Sequence, residues 1–223
     1  MPNPSPASSP RTSASRPRDA VRTRATILSA ATEVFAEQGL GGARVDEIAR
    51  RAGFNKALLY HYYGNKETLF LAVLEATYEG IRGAESALDL ESLDPPEAMV
   101  RLVDFTWRYF LEHPEFIHLV NSENRHRARH LVESERVDEL HNPLIVRIGA
   151  LLDRGVASGD FRDGVDPVQL YITIASLGYF YLSNVHTLGV VFSRDLLSAR
   201  SKGARRRHIQ EVVAGYLRPE KSI

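Results

Sequence analysis

Residues 44–70 read RVDEIARRAGFNKALLYHYYGNKETLF, and the spacing of small, apolar and capping residues in this stretch decides the fold. A helix-turn-helix brings two short helices together at a steep angle. It needs a small residue where they touch and a glycine where the chain turns with positive φ. Ala49 supplies the first, and Gly53, four positions later, supplies the second. Val45, Ile48 and Ala52 fall on the inner face of the first short helix, while Leu59 and Tyr62 anchor the second. Asn55 stands at the N-cap of that second helix, and Asn65 at the N-cap of a following one. Lys56, Ala57, Leu58, Tyr60 and His61 remain for the outer surface: one basic residue, two small or apolar contacts and two polar aromatic tips. That set suits a helix lying in the major groove of DNA.

Working outward, helical spacing continues in both directions and strand signals are poor. Ahead of the motif, Asp19 reads as the cap of a helix carrying Ile27, Ala30, Ala31, Val34 and Phe35 on one face, ending at Gly39. The helix capped by Asn65 carries Leu69, Phe70, Val73, Leu74 and Ile81. Pro95-Pro96 opens a long helix to about Glu112, and His113-Pro114 breaks and restarts the chain. Residues 115–134 read as one helix, charged toward its end. Another spans Asn142-Pro143 to Ser158, closed by Gly159, and a last one covers about 202–217. Between Asp166 and Arg194 no charged residue occurs. Asp166-Pro167 opens this stretch as cap and first turn, and Gln169, Thr173, Ser176, Ser183, Asn184 and His186 interrupt it. It reads as a helix over 167–188 buried between protein surfaces, not as a membrane span.

Composition narrows the function. The 223 residues carry no net charge, but residues 1–82 hold 11 Lys/Arg against 8 Asp/Glu, so a basic front precedes an acidic rear. The absence of cysteine excludes disulfides, thiolate zinc sites and cysteine nucleophiles, and is compatible with a reducing cytoplasm. The opening MPNPSPASSPRTSASRPR has no apolar run; it reads as a disordered arm (1–18), whose Arg11, Arg16 and Arg18 either reach DNA or stay solvated.

AATEVFAEQG in the first helix, followed by VDEIARRAGFNKALLYHYYGNKETLF, resembles the N-terminal domain of the TetR family of regulators over residues 20–82. The resemblance implies an all-α fold: an N-terminal three-helix helix-turn-helix domain (19–82) plus a C-terminal helical ligand-binding and dimerisation domain (83–223). It implies double-stranded operator DNA as partner, a homodimer, a small-molecule effector and a cytoplasmic setting. By the same resemblance Lys56, Ala57 and Leu58 face bases, Tyr60 and His61 meet phosphates or base edges, and Lys66 meets a phosphate. Two positions depart from the family pattern. Arg44 replaces a capping Thr or Ser, which removes the cap but keeps reach to a phosphate. Leu58 replaces a common Thr and offers a thymine methyl an apolar contact.

Behind the motif, 142–158 and 167–188 read as a dimerisation pair, with Ala175, Ser176 and Gly178 allowing close approach. Residues 129–144 with 161–188 are similar to a TetR subgroup that includes regulators of pyrimidine and nicotinate breakdown, which points to an aromatic or N-heterocyclic effector. Candidate effector residues are Trp107, Phe110, Phe116, His118, Asn121, Ser122, Arg125, Tyr171 and Tyr179: rings to stack on a flat ligand and polar groups to fix its edge. Neither catalytic residues nor a metal or cofactor site is expected. Glu115–His118 and Glu123–His126 have the Glu-x-x-His spacing of di-iron bundles, but eight residues apart on one helix puts them about 12 Å apart along its axis. His126 and His130 have metal-ligand spacing, yet the arginines around them make a solvated helix face the better reading. A ligand-responsive repressor, a ligand-independent DNA-binding protein and a helical metalloenzyme are the three readings carried forward.

Overall fold

A computed structural model describes residues 15–219, with side chains described for 19–136 and 143–219. Those residues form α-helices and one 3₁₀ turn, with no strand among them: α1 (Ser15–Gly42), α2 (Val45–Ala52), α3 (Lys56–Tyr63), α4 (Lys66–Ser86), α5 (Pro95–Glu112), α6 (Pro114–Arg125), a 3₁₀ turn (Leu131–Glu133), α7 (Val137–Ser158), α8 (Pro167–Ser183), α9 (Val185–Val191) and α10 (Ala199–Leu217). None of the helices is long and apolar enough to cross a membrane. Most of the expected arm, including Arg11, lies outside the described residues.

The front core is built from the residues the spacing selected. Ile27, Ala31, Val34 and Phe35 of α1 pack with Ile48 and Ala49 of α2, Leu59 of α3 and Leu69, Phe70, Val73 and Leu74 of α4. Phe35 meets Phe70 edge-on, centroids 5.1 Å apart. Leu119 of α6 is fully buried in the same cluster. Burying one such side chain contributes roughly 1.5–3 kcal/mol, so α6 is fastened to the front helices by more than surface contact. The rear core gathers Met99, Leu102, Val103 and Trp107 of α5, Ile148, Leu151 and Leu152 of α7, Leu170 and Ile174 of α8, and Ile209 and Val213 of α10. A third cluster, Ile81, Tyr109, Phe110, Phe116 and Ile117, lies at the meeting of α4, α5 and α6. The segment between α4 and α5 is held from α7: Arg147 donates to the Glu85 carbonyl at 2.7 Å and Arg154 to the Leu90 carbonyl at 3.0 Å.

Several boundaries differ from the sequence reading. Asp19 is inside α1 and not its cap. The helix begins at Ser15, and Pro17 is accommodated because first-turn N–H groups have no helical partner to lose. Gly39 does break the helix, with φ +66° and ψ 172°. The helix expected over 115–134 stops at Arg125: Arg127 and Ala128 adopt positive φ, and Glu123 Oε1 accepts the backbone N–H groups of His130 (2.8 Å) and Leu131 (3.1 Å). The next helix starts at Val137, five residues before the expected Asn142-Pro143, and carries Pro143 inside it. The uncharged stretch divides at Asn184 into α8 and α9. α4 continues through residue 82 to Ser86 without a break.

Gly178 serves a different contact from the expected one. A Cβ there would lie 3.2 Å from Phe110 Cδ2 and 3.6 Å from Trp107 Cε3, so it lets α8 approach α5 within the subunit. Gly155 is more demanding. Phe161 folds back over it after the Gly159 turn (φ +79°), its N–H bonded to the Gly155 carbonyl at 3.0 Å. A Cβ on residue 155 would fall 1.9 Å from Phe161 Cδ2. Gly155→Ala is therefore expected to destabilise the fold by roughly 1–3 kcal/mol, the range of overpacked cores, with Phe161 expelled. Thermal unfolding checks this. Phe161→Ala in the same background should make the alanine at 155 nearly neutral.

Candidate nucleic-acid interface and its control residues

The outer face of α3 follows from how its inner face is tied down. Gly53 turns the chain at φ +73°, its N–H returned to the last carbonyls of α2, and Asn55 Oδ1 accepts the Leu58 N–H at 2.9 Å. Leu59 is buried, and the half-buried Tyr63 hydroxyl donates to the Arg24 carbonyl at 3.0 Å. Arg24 also lies over the Tyr62 ring at 5.5 Å. α3 is thus locked to α1, leaving Lys56, Ala57, Tyr60 and His61 exposed and Leu58 half-buried. Lys56 Nζ is 3.3 Å from Asp46 Oδ1, so a phosphate or base must compete with that carboxylate. Arg44 precedes α2 with an extended backbone, exposed, and makes no side-chain cap, as its identity foretold.

A charge network fixes α2 on α1. Arg51 binds both Glu37 oxygens (2.8 and 2.6 Å) and Glu47 Oε1 (2.9 Å), while Arg50 spans both Glu47 oxygens (2.9 and 2.7 Å) and shares Oε1 with Arg51. The two guanidinium groups, Arg50 foremost, lower the Glu47 pKa to about 2.

Lys66 sits differently from the simple phosphate contact expected of it. It is half-buried, and its ammonium donates to the carbonyls of Leu40 (2.9 Å) and Ala43 (3.3 Å), closing the α1–α2 turn. Two of its three protons are thereby engaged. The same turn is gripped from behind: the Leu40 N–H donates to Ser122 Oγ of α6 at 3.3 Å.

The nine rear candidates separate into three places. Trp107 is plain core, edge-on to Tyr181 at 5.7 Å. Phe110 and Phe116 stack at 5.5 Å, and Tyr179 lies 6.4 Å from Phe110. Tyr171 packs against the same rear core as Trp107 and accepts from Arg82 Nη2 at 2.9 Å. His118, Asn121, Ser122 and Arg125 line a cleft of about 530 Å³ whose opposite wall is residues 36–42. Asn121 joins the last two places: it accepts from the Tyr179 hydroxyl and donates to Ser183 Oγ at 3.1 Å.

The acidic and histidine residues form no di-iron arrangement. Glu115 bonds His113 at 2.9 Å, and Glu123 bonds His130 Nδ1 at 2.6 Å. Glu123 and His130 are buried, which corrects the solvated-face reading: the break after Arg125 folds His130 back under the helix and against Phe70, 5.2 Å away. Among the described residues no three His, Asp or Glu side chains gather as metal ligands. Sequence reasoning also missed Tyr78, Arg82 and Glu85. Their signal was phase: on α4 they continue the inward stripe of Leu74 and Ile81, where charged residues are out of place.

Comparison with known proteins agrees with this geometry. Residues 27–73 match the family model described as bacterial regulatory proteins, tetR family, and residues 95–213 match the tetracyclin repressor-like C-terminal domain. The HTH-type transcriptional repressor NicS of Pseudomonas putida is 38% identical over 187 residues, 84% of this chain and 88% of NicS. Among solved structures, the transcriptional regulator SCO4942 of Streptomyces coelicolor superposes with a TM-score of 0.67 at 25% identity, covering 87% of this chain and 98% of that one. FadR of Bacillus subtilis, in complex with stearoyl-CoA, superposes with a TM-score of 0.65 at 18% identity, covering 86% and 98%.

Burial at the end of α4 has a measurable signature. It raises the Glu85 pKa from 4.5 to about 7, outweighing the Arg82 guanidinium beside it. A carboxyl whose folded pKa lies above its unfolded one binds more protons when folded, so its contribution to stability falls as pH rises between the two values. Glu85→Gln, which mimics the protonated form, should gain on the wild type as pH rises from about 4.5 to about 7, and the difference should be flat above that. Thermal unfolding of both proteins across this range checks the sign.

Proposed function

The chain belongs to the TetR family and is a DNA-binding transcriptional regulator, not an enzyme; from that premise we propose a homodimeric repressor that leaves a palindromic operator when a small molecule binds its rear helices. In this reading residues 19–82 read DNA and 83–223 dimerise and bind the effector. Lys56, Ala57, Leu58, Tyr60 and His61 meet the major groove, Arg44 meets a phosphate, and Lys66 offers its remaining proton to a neighbouring phosphate while holding the turn. The relative NicS is named a repressor, and FadR, of like fold, holds stearoyl-CoA. An aromatic or N-heterocyclic effector fits the ring-rich third cluster.

One observation carries the switch: Ser122 of α6 and Lys66 of α4 hold the same α1–α2 turn, Leu40 from its N–H and from its carbonyl. Asn121, adjacent to Ser122, is bonded to Tyr179 and Ser183 of α8. A ligand that moves α6 against α8 therefore pulls on the turn that sets α2 and α3. It releases DNA only if it binds the released geometry more tightly, and operator DNA must weaken the ligand by the same factor.

Dimerisation is supported by α8. Its Leu170, Ile174 and Gly178 face inward, but Val168, Ile172, Ser176 and Phe180, four residues apart, form an exposed stripe, with Ile172 half exposed and Phe180 59% exposed. Pairing this stripe with its copy would set two α3 helices about 34–36 Å apart, one turn of DNA.

The experiment is duplex binding followed by fluorescence anisotropy across salt, then with aromatic and N-heterocyclic compounds added. Salt-dependent binding of a palindrome, released by a compound, is expected; binding with no salt dependence, or no duplex binding, overturns the reading. Ser122→Ala should cost only about 0.5–1.5 kcal/mol of stability, yet shrink the factor by which an inducer weakens operator binding. Unchanged coupling would remove Ser122 from the route. Ile172→Asp should give a folded monomer by sedimentation with operator affinity largely lost; a dimer surviving that change would place the interface elsewhere.

A further inference from the structure

Among the described residues two arginines, Arg82 and Arg162, keep a buried Nε without a partner, and Arg82 is the one that faces α8. It lies on α4, 11% exposed. Nη1 pairs with Glu85, one turn on, and Nη2 donates to the Tyr171 hydroxyl at 2.9 Å. Nε is buried and has no partner. Leaving a buried donor of a cation unsatisfied is costly, and a pair serving structure alone would close it. Its partner is also a weak counterion, since Glu85 holds its proton up to about neutral pH.

Aromatic rings surround the guanidinium. The Tyr171 ring lies 5.5 Å from the guanidinium carbon. Tyr78, one turn before Arg82, meets Phe116 edge-on at 5.7 Å, and Tyr179 follows Tyr171 two turns along α8. Tyr78, Tyr171 and Tyr179 are all half-buried and not sealed in core. α8 packs chiefly on α5 and α7, so the Arg82–Tyr171 bond bridges α4 and α8 where their backbones stand apart.

We infer that Arg82 anchors the carboxylate of a small aromatic acid between α4 and α8, with Nε–H as the open donor and the rings of Tyr78 and Tyr171 as walls. Guanidinium offers a carboxylate two parallel N–H bonds, and Nε with a terminal nitrogen is such a pair of donors. The incoming carboxylate takes up the unmet donor and shares the Nε edge with Nη2, the nitrogen that bonds Tyr171, while Glu85 stays on Nη1. This deepens the effector reading and rests on it. The anchor is on the helix whose first turn carries Lys66, so a ligand seated at one end of α4 acts on the α1–α2 turn at the other.

The test uses the full chain and a matched panel: benzoate, hydroxybenzoates and pyridine monocarboxylates, each beside its neutral amide. Binding is followed by calorimetry, and operator release is measured in the same samples. Arg82→Met removes the charge, and Arg82→Lys keeps charge without the paired donors; circular dichroism confirms that each folds. At least one acid should bind the wild type about tenfold or more tighter than its amide. Arg82→Met should abolish that preference by weakening the acid more than the amide, and Arg82→Lys should fall between. If Arg82→Met does not fold, a loss of preference in Arg82→Lys supports the anchor and its retention refutes it. Acids that bind no better than amides, or bind Arg82→Met as well as wild type, overturn the inference, as does a panel with no acid bound. Operator release by a neutral compound, unchanged in the Arg82 variants, would leave the repressor reading standing while this inference falls. Failure of the wild type to bind duplex at all would instead remove the repressor reading.

Discussion

Leu119 belongs to α6, yet it is wholly buried among the residues that hold α1, α2, α3 and α4 together. That single placement constrains the rest. The DNA-reading helices have no complete core without a side chain from behind them, so they cannot tilt without α6 following. Interiors are close-packed and change by discrete rearrangement more readily than by smooth deformation. The polar contacts reinforce the apolar one at the same spot. Ser122, three residues on from Leu119, meets the Leu40 N–H, and Lys66 meets the Leu40 carbonyl. The α1–α2 turn is thus the shared boundary of the front core, the rear helices and the head of α4.

The front of the molecule was legible in the sequence because local backbone chemistry decides it. Gly39 and Gly53 sit where positive φ is needed, and Asn55 and Asn65 accept N–H groups three residues on. Each of these needs nothing from the remainder of the chain. Arg44 was equally readable: a residue without a short side-chain oxygen cannot cap, and it does not. The extents of α5 and α10 were read from proline breaks and helical spacing, with α10 starting three residues earlier than expected.

What was not legible is decided by distant or return contacts. Residues 115–134 have helical composition throughout, and nothing local announces a stop at Arg125. The stop comes from Glu123, whose carboxylate gathers the N–H groups of His130 and Leu131 and the His130 ring, holding Arg127 and Ala128 in a left-handed conformation that non-glycine residues rarely adopt. A buried carboxylate with three donors offsets that strain. The candidate effector residues were chosen without such contacts in view. Rings and amides were gathered by type, and the fold distributed them among plain core, a cleft wall and the third cluster. Arg82 and Glu85 were passed over because charge was read as a sign of solvent, whereas their phase on α4 pointed inward.

α8 shows why an uncharged helix was needed. An ordinary surface helix has one apolar stripe and one polar face. Here Leu170, Ile174 and Gly178 close the subunit, while Val168, Ile172 and Phe180 stay apolar and exposed on the opposite stripe. Between the two stripes, Tyr171 and Tyr179 point toward Arg82 and Asn121. One helix therefore has three neighbours: its own core, the surface proposed to pair with a second copy, and the polar groups proposed to receive the effector. Charged side chains would have been tolerable on none of these faces without a partner, which accounts for their absence from Pro167 to Ser183. It also follows that a ligand between α4 and α8 cannot be felt by α4 alone. Any displacement of Tyr171 or Tyr179 is a displacement of the helix that carries the exposed stripe, so effector binding would bear on the spacing of two recognition helices as well as on the turn within each.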